Sequence, residues 1–212
     1  MIYCSVDIET TGLDPEKNQV LSIGAIIEDT EKKLPFHEIP RFNVILLHNE
    51  LTGHPRAITM NQKIISLMDS YLSGDDKSRK ELDEISPYKF INPDEAAKKF
   101  FFFLQDNGVL NPKTGYISKV DSNTKTIIIN VAGKNFGTFD KLFLERLPWW
   151  KKLIQVRQRI IDPSTLYCDW NNDVSLPSLY DCKIRLGGVI PEVSHDAIED
   201  AWDVITLLRK FY

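Results

Sequence analysis

Acidic residues near the N-terminus of this sequence have types and spacing that suit binding of a cation. Asp7 and Glu9 follow an alternation of apolar and polar residues that predicts a strand over residues 2–8, ending in a Thr-Thr-Gly turn. Alternate residues of a strand share a face, so these two carboxylates would lie about 7 Å apart. They repel each other unless a cation lies between them. Taken alone, the pair is explained better by exposure to water at a strand end.

A second acidic group lies in the last predicted helix, over about residues 196–211. The apolar face of this helix is predicted to contain Ala197, Ala201, Val204, Ile205 and Leu208. Asp200 lies about 40° from Val204, at the margin of that face, where a buried carboxylate needs a partner such as a metal ion. The helical period places Asp196, Glu199 and Asp203 further toward solvent. His195 comes just before the first turn, where an isolated histidine is a surface residue by default.

A third acid, Asp140, opens a helix predicted over residues 138–147, after a strand at 126–131 and a glycine turn. An acid in a first helical turn is common because it complements the helix dipole. Alone, Asp140 therefore carries no functional weight. Asp140 becomes informative because it lies in the sequence between the acidic pair of the first strand and the acidic group of the last helix.

Together these groups form three motifs in a fixed order: DIETTGL at 7–13, NFGTFD at 135–140 and HDAIED at 195–200. The set resembles the DEDDh exonucleases, the RNase T and polymerase proofreading-subunit group of the RNase H-like superfamily. The motifs span nearly the whole chain. Lys134 stands where that family commonly has a histidine. The resemblance implies an α/β fold with an RNase H-like mixed sheet, an antiparallel meander followed by parallel strands, flanked by helices.

The resemblance also implies a chemistry. Two divalent ions, Mg²⁺ or Mn²⁺, would lie about 4 Å apart, and hard carboxylate oxygens suit these ions better than zinc or copper. The general base would be His195, and the reaction would release nucleoside 5′-monophosphates from the 3′ end of single-stranded DNA or RNA. The metal ligands implied are Asp7, Glu9, Asp140 and Asp200.

Further residues are predicted to contact substrate. The 10–13 turn would hold the terminal nucleotide, with Leu13 as an apolar wedge against the base. A basic excess over 134–159 is either a phosphate-binding track or an ordinary solvated surface. Trp149-Trp150 indicates either buried packing or a partner contact. The substrate-binding candidates are Thr10, Thr11, Gly12, Leu13, Lys134, Asn135 and Phe136.

Composition limits the classes of protein that fit. The net charge of −4 gives no global attraction to nucleic acid, so such contacts need a local basic patch or metal. The three cysteines are few and far apart, which favours a reducing compartment over a disulfide framework. With no secretory leader and no apolar run of membrane length, the expectation is a cytoplasmic protein without membrane contact.

The 212 residues are predicted to form one exonuclease domain, 1–212, with a polar insertion at about 73–93. A linker between two domains is the alternative for that segment. Strands at 2–8, 19–27 and 40–47 predict the opening meander, and residues 93–106 predict a helix. The alternative function is a catalytically inactive RNase H-like module that binds nucleic acid or a partner. Homodimerisation and association with a polymerase in trans stay open.

Overall fold

The N-terminal third of the chain folds into an antiparallel meander of three strands. These are β1 (Ile2–Thr10), β2 (Val20–Asp29) and β3 (Arg41–Leu46). β1 pairs antiparallel with β2, and β2 pairs antiparallel with β3. The short connections between strands permit this arrangement, since hairpins join neighbours that run in opposite directions. The predicted meander is confirmed.

Parallel strands extend the sheet on both sides of the meander. β4 (Lys89–Ile91) pairs parallel with β3, and β6 (Val131–Ala132) pairs parallel with β1. The five-stranded sheet therefore has the order β4-β3-β2-β1-β6. A second, parallel pair joins β5 (Ile127–Ile129) to β7 (Ile154–Val156). The chain is thus a mixed α/β protein, as predicted. The sequence also predicts a strand over residues 157–161, whereas β7 lies a few residues earlier.

Helices flank the sheet in the part of the chain that the computed structural model describes, residues 1–107, 126–187 and 195–212. The sequence also predicts a polar loop over residues 108–125 and a helix over 176–186 that ends at Gly187-Gly188; the loop and Gly188 lie outside the described residues. None of the helices within them is long and apolar enough to cross a membrane. The helices are α1 (Pro55–Met60), α2 (Gln62–Ser73), α3 (Asp76–Ile85), α4 (Pro93–Asp106), α5 (Asp140–Leu144), α6 (Trp150–Leu153), α7 (Ser164–Tyr167), α8 (Leu179–Gly187) and α9 (Ala197–Leu208).

Several helix boundaries differ from those predicted. α5 is shorter than the predicted 138–147 helix because Phe139 has non-helical dihedrals and Leu147 precedes a proline, which disfavours the helical conformation. The polar 73–93 segment contains α3 and then β4, so residues 89–91 of this segment belong to the sheet. By contrast, α4 has the predicted bounds and buries the predicted stripe of Ala96, Ala97, Phe100, Phe101 and Leu104.

The two faces of β1 contact different layers. Cys4, Val6 and Ile8 point into the main core, which α4 covers. Tyr3 points to the opposite face and packs with the apolar stripe of α9. Because side chains alternate along a strand, Asp7 and Glu9 lie on the α9 face.

The start of α9 lies directly on β2. A Cβ atom added at Gly24 would lie 2.2 Å from the carbonyl carbon of Ala197, a distance that two packed backbones could not accommodate. Glycine at this position therefore allows the first turn of α9 to contact the sheet. This close approach brings the acidic first turn of α9 to β1.

Candidate metal centre

Three of the predicted metal ligands come together where α9 crosses β1. Asp7, Glu9 and Asp200 each offer a carboxylate oxygen, and these oxygens lie within 4.8 Å of one another. All three side chains are partly buried. The position of Asp200 at the margin of the buried face is the one that the helical period predicts. The stripe predicted for α9 is also buried.

The fourth predicted ligand, Asp140, is buried beside the same strand. Its Oδ1 atom accepts a hydrogen bond of 3.1 Å from the Ile8 backbone N–H, between the two acids of β1. Asp140 opens α5, as the sequence indicated. Its charge is close enough to raise the pKa of Asp7. The structure thus brings together four acids from positions 7, 9, 140 and 200.

The clustered acids hold protons more tightly than ordinary carboxyl groups. Burial, followed by the charges of Asp140 and Asp200, raises the pKa of Asp7 well above its ordinary value. Burial and the charge of Asp200 raise the pKa of Glu9 to about 7. Burial also raises the pKa of Asp140 to about 7, against the lowering effect of its backbone hydrogen bonds. Burial and the Asp203 charge raise the pKa of Asp200 to about 7.

This electrostatic arrangement fits a divalent cation. Like charges gathered in a low-dielectric environment oppose ionisation, and a bound cation reverses that effect. All the gathered donors are carboxylate oxygens, the ligands that Mg²⁺ and Mn²⁺ prefer. The donor set could therefore hold a hard divalent cation, whereas the identity and number of the ions stay predictions.

The helical period predicted that Asp196 lies toward solvent. This prediction was wrong, because the residue is buried and only 9% exposed. It is the N-cap of α9, and its Oδ1 atom accepts a hydrogen bond from the Ile198 N–H at 3.2 Å. Its Oδ2 atom accepts a hydrogen bond from the Tyr88 hydroxyl at 2.5 Å. Both oxygens of Asp196 are thus engaged in positioning the start of α9. Glu199, by contrast, is exposed as predicted.

Asn61 is a site residue that the sequence did not single out. It lies between α1 and α2 and is buried against β1, where its amide nitrogen donates hydrogen bonds to the carbonyls of Thr10 and Ala57 at 3.2 and 3.1 Å. A hydrogen bond from its side chain also opposes the rise in the pKa of Glu9. No sequence signal marks this asparagine, because its role depends on how α1 and α2 pack against β1.

His195 lies at the predicted place, immediately before the α9 N-cap, and its side chain is exposed. Within residues 1–107, 126–187 and 195–212, its ring makes no hydrogen bond. The general-base role of this histidine stays a prediction.

The 10–13 turn is held by its own hydrogen bonds. The Thr10 hydroxyl donates to the Gly12 carbonyl at 2.7 Å, and the Thr11 hydroxyl donates to the Thr52 carbonyl at 2.6 Å. Both threonines are buried, whereas Leu13 is 83% exposed. The turn therefore presents an apolar side chain to solvent at the end of the strand that carries Asp7 and Glu9. Substrate contacts by these residues stay predictions.

The other substrate-binding candidates differ in accessibility. Phe136 is 1% exposed and packs in the main core, which leaves no ring surface for a base. The sequence named Phe136 as a substrate-binding candidate because a single sequence does not distinguish a core aromatic from a surface one. Lys134 donates a hydrogen bond to the exposed Asn135 at 2.6 Å, and the Asn135 N–H donates to Asp162 at 3.0 Å.

No protein-family model matches this sequence, and no curated protein matches it significantly. The assignment of a function therefore depends on the residues of the acidic cluster and on the fold that positions them.

Proposed function

We propose that this protein is a metal-dependent 3′→5′ exonuclease with an RNase H-like fold of the DEDDh type. The convergence of Asp7, Glu9, Asp140 and Asp200 beside the end of β1 is the observation that supports this proposal. These acids occur in the order of the DEDDh motifs. The antiparallel meander with β6 parallel to β1 agrees with the expected sheet.

The four carboxylates would hold two divalent ions, Mg²⁺ or Mn²⁺. Such ions supply positive charge that stabilises the transition state at phosphorus and makes water a better proton donor. The contribution of the protein is to hold the carboxylates together before substrate arrives. Asp140 is held by the Ile8 N–H, and Asp200 is held by the docking of α9 on β2.

His195 would accept the proton of the attacking water as general base. Its exposed position at the start of α9 leaves the imidazole accessible to water and to a nucleic-acid end. Loss of that proton produces the nucleophile that attacks the terminal phosphodiester, and the 3′ oxygen of the preceding nucleotide leaves. The product is a nucleoside 5′-monophosphate. Leu13 would contact the terminal base from the adjacent turn.

The substrate class is the 3′ end of single-stranded DNA or RNA. The three unpaired cysteines suit the reducing cytoplasm, where we place the protein.

The test is digestion of 5′-labelled and 3′-labelled single-stranded DNA, duplex DNA and RNA with Mg²⁺, Mn²⁺ or EDTA. We expect 5′-labelled strands to shorten one nucleotide at a time and 3′ label to appear as mononucleotide, with both processes stopped by EDTA. Asp200→Asn should abolish cleavage. Glu199→Gln, on the same helix but outside the gathered carboxylates, is the matched control. Cleavage that persists in EDTA or begins at the 5′ end would contradict the proposal.

A further inference from the structure

Trp149 occupies a backbone conformation that tryptophan rarely adopts. Residues 147–150 form a tight turn, in which the Trp150 N–H donates to the Leu147 carbonyl at 3.2 Å. Pro148 is the second residue of this turn, and Trp149 is the third, with φ 70° and ψ −11°. These values match the third position of a type II turn, which favours glycine because a Cβ atom is crowded at positive φ. The chain thus has a bulky ring where glycine would be the relaxed choice.

The two adjacent tryptophans have different environments. Trp150 is 3% exposed and stacks on Phe100, with ring centroids 5.1 Å apart and an interplanar angle of 18°. Trp149 is 50% exposed. Buried packing therefore explains Trp150 and leaves Trp149 unexplained. The buried neighbour also anchors the turn, so that the Trp149 indole projects from a rigid support.

Two lysines from different helices flank the exposed indole. The Nζ atoms of Lys98 on α4 and Lys152 on α6 lie 5.5 and 5.3 Å from the Trp149 ring centroid. Both lysines are exposed, and cation–π contacts at exposed positions are weak. A planar ligand can therefore displace an ammonium group from the ring and leave it free to bind a neighbouring anion. A ligand in which a flat ring is joined to phosphates supplies both the planar group and the neighbouring anion.

We propose that Trp149, Lys98 and Lys152 form a second nucleic-acid contact, outside the acidic cluster. A base of a single strand stacks on the indole, and the two ammonium groups bind phosphates on either side of that base. A strained backbone conformation persists only where surrounding contacts hold the residue in place, and such residues are found most often at ligand-binding and active sites. The positive charge of the two lysines favours a polyanion, and a single strand supplies a flat base and a phosphate in every nucleotide. A second copy of this chain has exposed aromatic rings but a net charge of only −4 spread over 212 residues.

This contact would bind the part of a nucleic-acid strand that has not yet reached the acidic cluster. Trp149 follows Asp140 by nine residues, through α5 and the turn before α6. Arg146, between them, contacts Glu16, just beyond the exposed Leu13. This ion pair connects the segment after the 10–13 turn with the segment that leads to Trp149. This inference rests on the proposed exonuclease function for the identity of the strand, and it adds a site for nucleotides upstream of the 3′ end.

The decisive variant is Trp149→Gly, because it removes the ring and at the same time relieves the positive-φ strain. We expect this variant to melt at the same temperature as the wild type or higher. Its affinity for a 5′-labelled 20-nucleotide oligo-dT in EDTA, measured by fluorescence anisotropy, should fall about tenfold, the order expected for loss of one base stack. Trp170→Gly, at a tryptophan that is 76% exposed, is the matched control and should bind with unchanged affinity. The double variant Lys98→Gln/Lys152→Gln should weaken binding and reduce its dependence on salt.

Cleavage assays separate this inference from the proposed function. With Mg²⁺, Trp149→Gly should hydrolyse a dinucleotide at the wild-type rate and show a raised KM only for the 20-mer. Equal affinity of wild type and Trp149→Gly for the 20-mer would overturn the inference and leave the exonuclease proposal standing if cleavage occurs. Binding that depends on Trp149 without any cleavage would support the inference and contradict the exonuclease proposal. Binding of an oligo-glutamate peptide, but not of the oligonucleotide, would overturn the nucleic-acid assignment.

Discussion

Tyr88 donates a hydrogen bond from its hydroxyl to Asp196 and thereby connects the residue before β4 to the N-cap of α9. The two residues are 108 positions apart in the sequence. Asp196 also accepts a hydrogen bond from the Ile198 N–H. The same carboxylate therefore fixes the first turn of α9 relative to Tyr88. That turn carries Asp200, and His195 immediately precedes Asp196. Tyr88 is therefore a positioning residue for the acidic cluster.

Tyr88→Phe should keep the fold and weaken the site. Loss of the hydroxyl leaves an oxygen of the buried Asp196 without its donor, which costs about 1–3 kcal/mol of unfolding free energy. Because removal of groups that orient metal ligands typically costs 10–100-fold in metal affinity or activity, we expect a loss of about that size in Mn²⁺ affinity. Tyr71→Phe is the control, because the Tyr71 hydroxyl also donates to an aspartate, Asp83, but away from the cluster. Equal effects of the two variants on Mn²⁺ affinity would contradict the positioning role.

His195→Ala tests the general base. Removal of such a group lowers turnover by about 10²–10⁴-fold, whereas the carboxylates continue to bind metal. We expect hydrolysis of the 5′-labelled single strand with Mg²⁺ to slow by that factor in His195→Ala, while the affinity of the variant for Mn²⁺ stays close to that of the wild type. His37→Ala, at an exposed histidine beside Glu38, should behave as the wild type. Full activity in His195→Ala would show that the assignment is wrong.

The stability of the metal-free protein should fall as the pH rises from about 4 to about 7. The pKa values of Glu9, Asp140 and Asp200 are about 7 in the folded protein, above the ordinary carboxyl values of the unfolded chain. In this pH range the folded state binds more protons than the unfolded state, so the stabilisation present at low pH is lost as the pH rises through about 7.

Urea unfolding in EDTA at intervals from pH 4 to pH 8 measures this dependence. The double variant Glu9→Gln/Asp200→Asn should have a flatter profile, because two of the titrating groups are removed. Addition of Mg²⁺ should stabilise the wild type more at pH 8 than at pH 5, since metal and protons compete for the same oxygens. A wild-type profile that does not fall between pH 4 and pH 7, or that falls no more steeply than the profile of the double variant, would contradict this interpretation of the cluster.

Arg209 should contribute strongly to stability through its ion pair with Glu28. The Glu28 side chain is fully buried, and its two oxygens accept hydrogen bonds from Arg209 Nε and Nη2 at 2.8 and 2.7 Å. Arg209→Ala leaves this carboxylate buried and without its cation, which should cost about 3–5 kcal/mol of unfolding free energy in urea. Lys77→Ala breaks a solvent-exposed pair with Glu81 and should cost less than about 1 kcal/mol. Similar losses in the two variants would refute this interpretation of the buried pair.

Periodicity in the sequence predicted the elements whose side chains repeat regularly. α4 begins at Pro93 and ends at Asp106 as predicted, because proline suits a first helical turn and the apolar residues recur every three or four positions. The strand alternation placed Asp7 and Glu9 on one face, and the helical period placed Asp200 at the margin of α9. Local pattern was sufficient for these features.

Features that depend on distant partners were not predictable in this way. The period of α9 assigns Asp196 to the solvent side, but the residue is buried and accepts a hydrogen bond from Tyr88, which is distant in sequence and lies just before β4. Phe136 lies within a motif that suggested substrate contact, yet its ring packs in the main hydrophobic core. Asn61 contacts β1 only because α1 and α2 pack there. In each case tertiary packing determined the environment of the residue.

The central claim, that four distant carboxylates form one divalent-cation site, is tested most directly by calorimetric titration of the EDTA-treated protein with Mn²⁺. The account predicts saturable binding of two ions per chain in the wild type and in Glu199→Gln. Asp7→Asn should lose that binding while retaining its unfolding transition, since removal of a clustered charge relieves repulsion in the metal-free protein. Absence of saturable binding in the wild type, or unchanged binding in Asp7→Asn, would contradict the account.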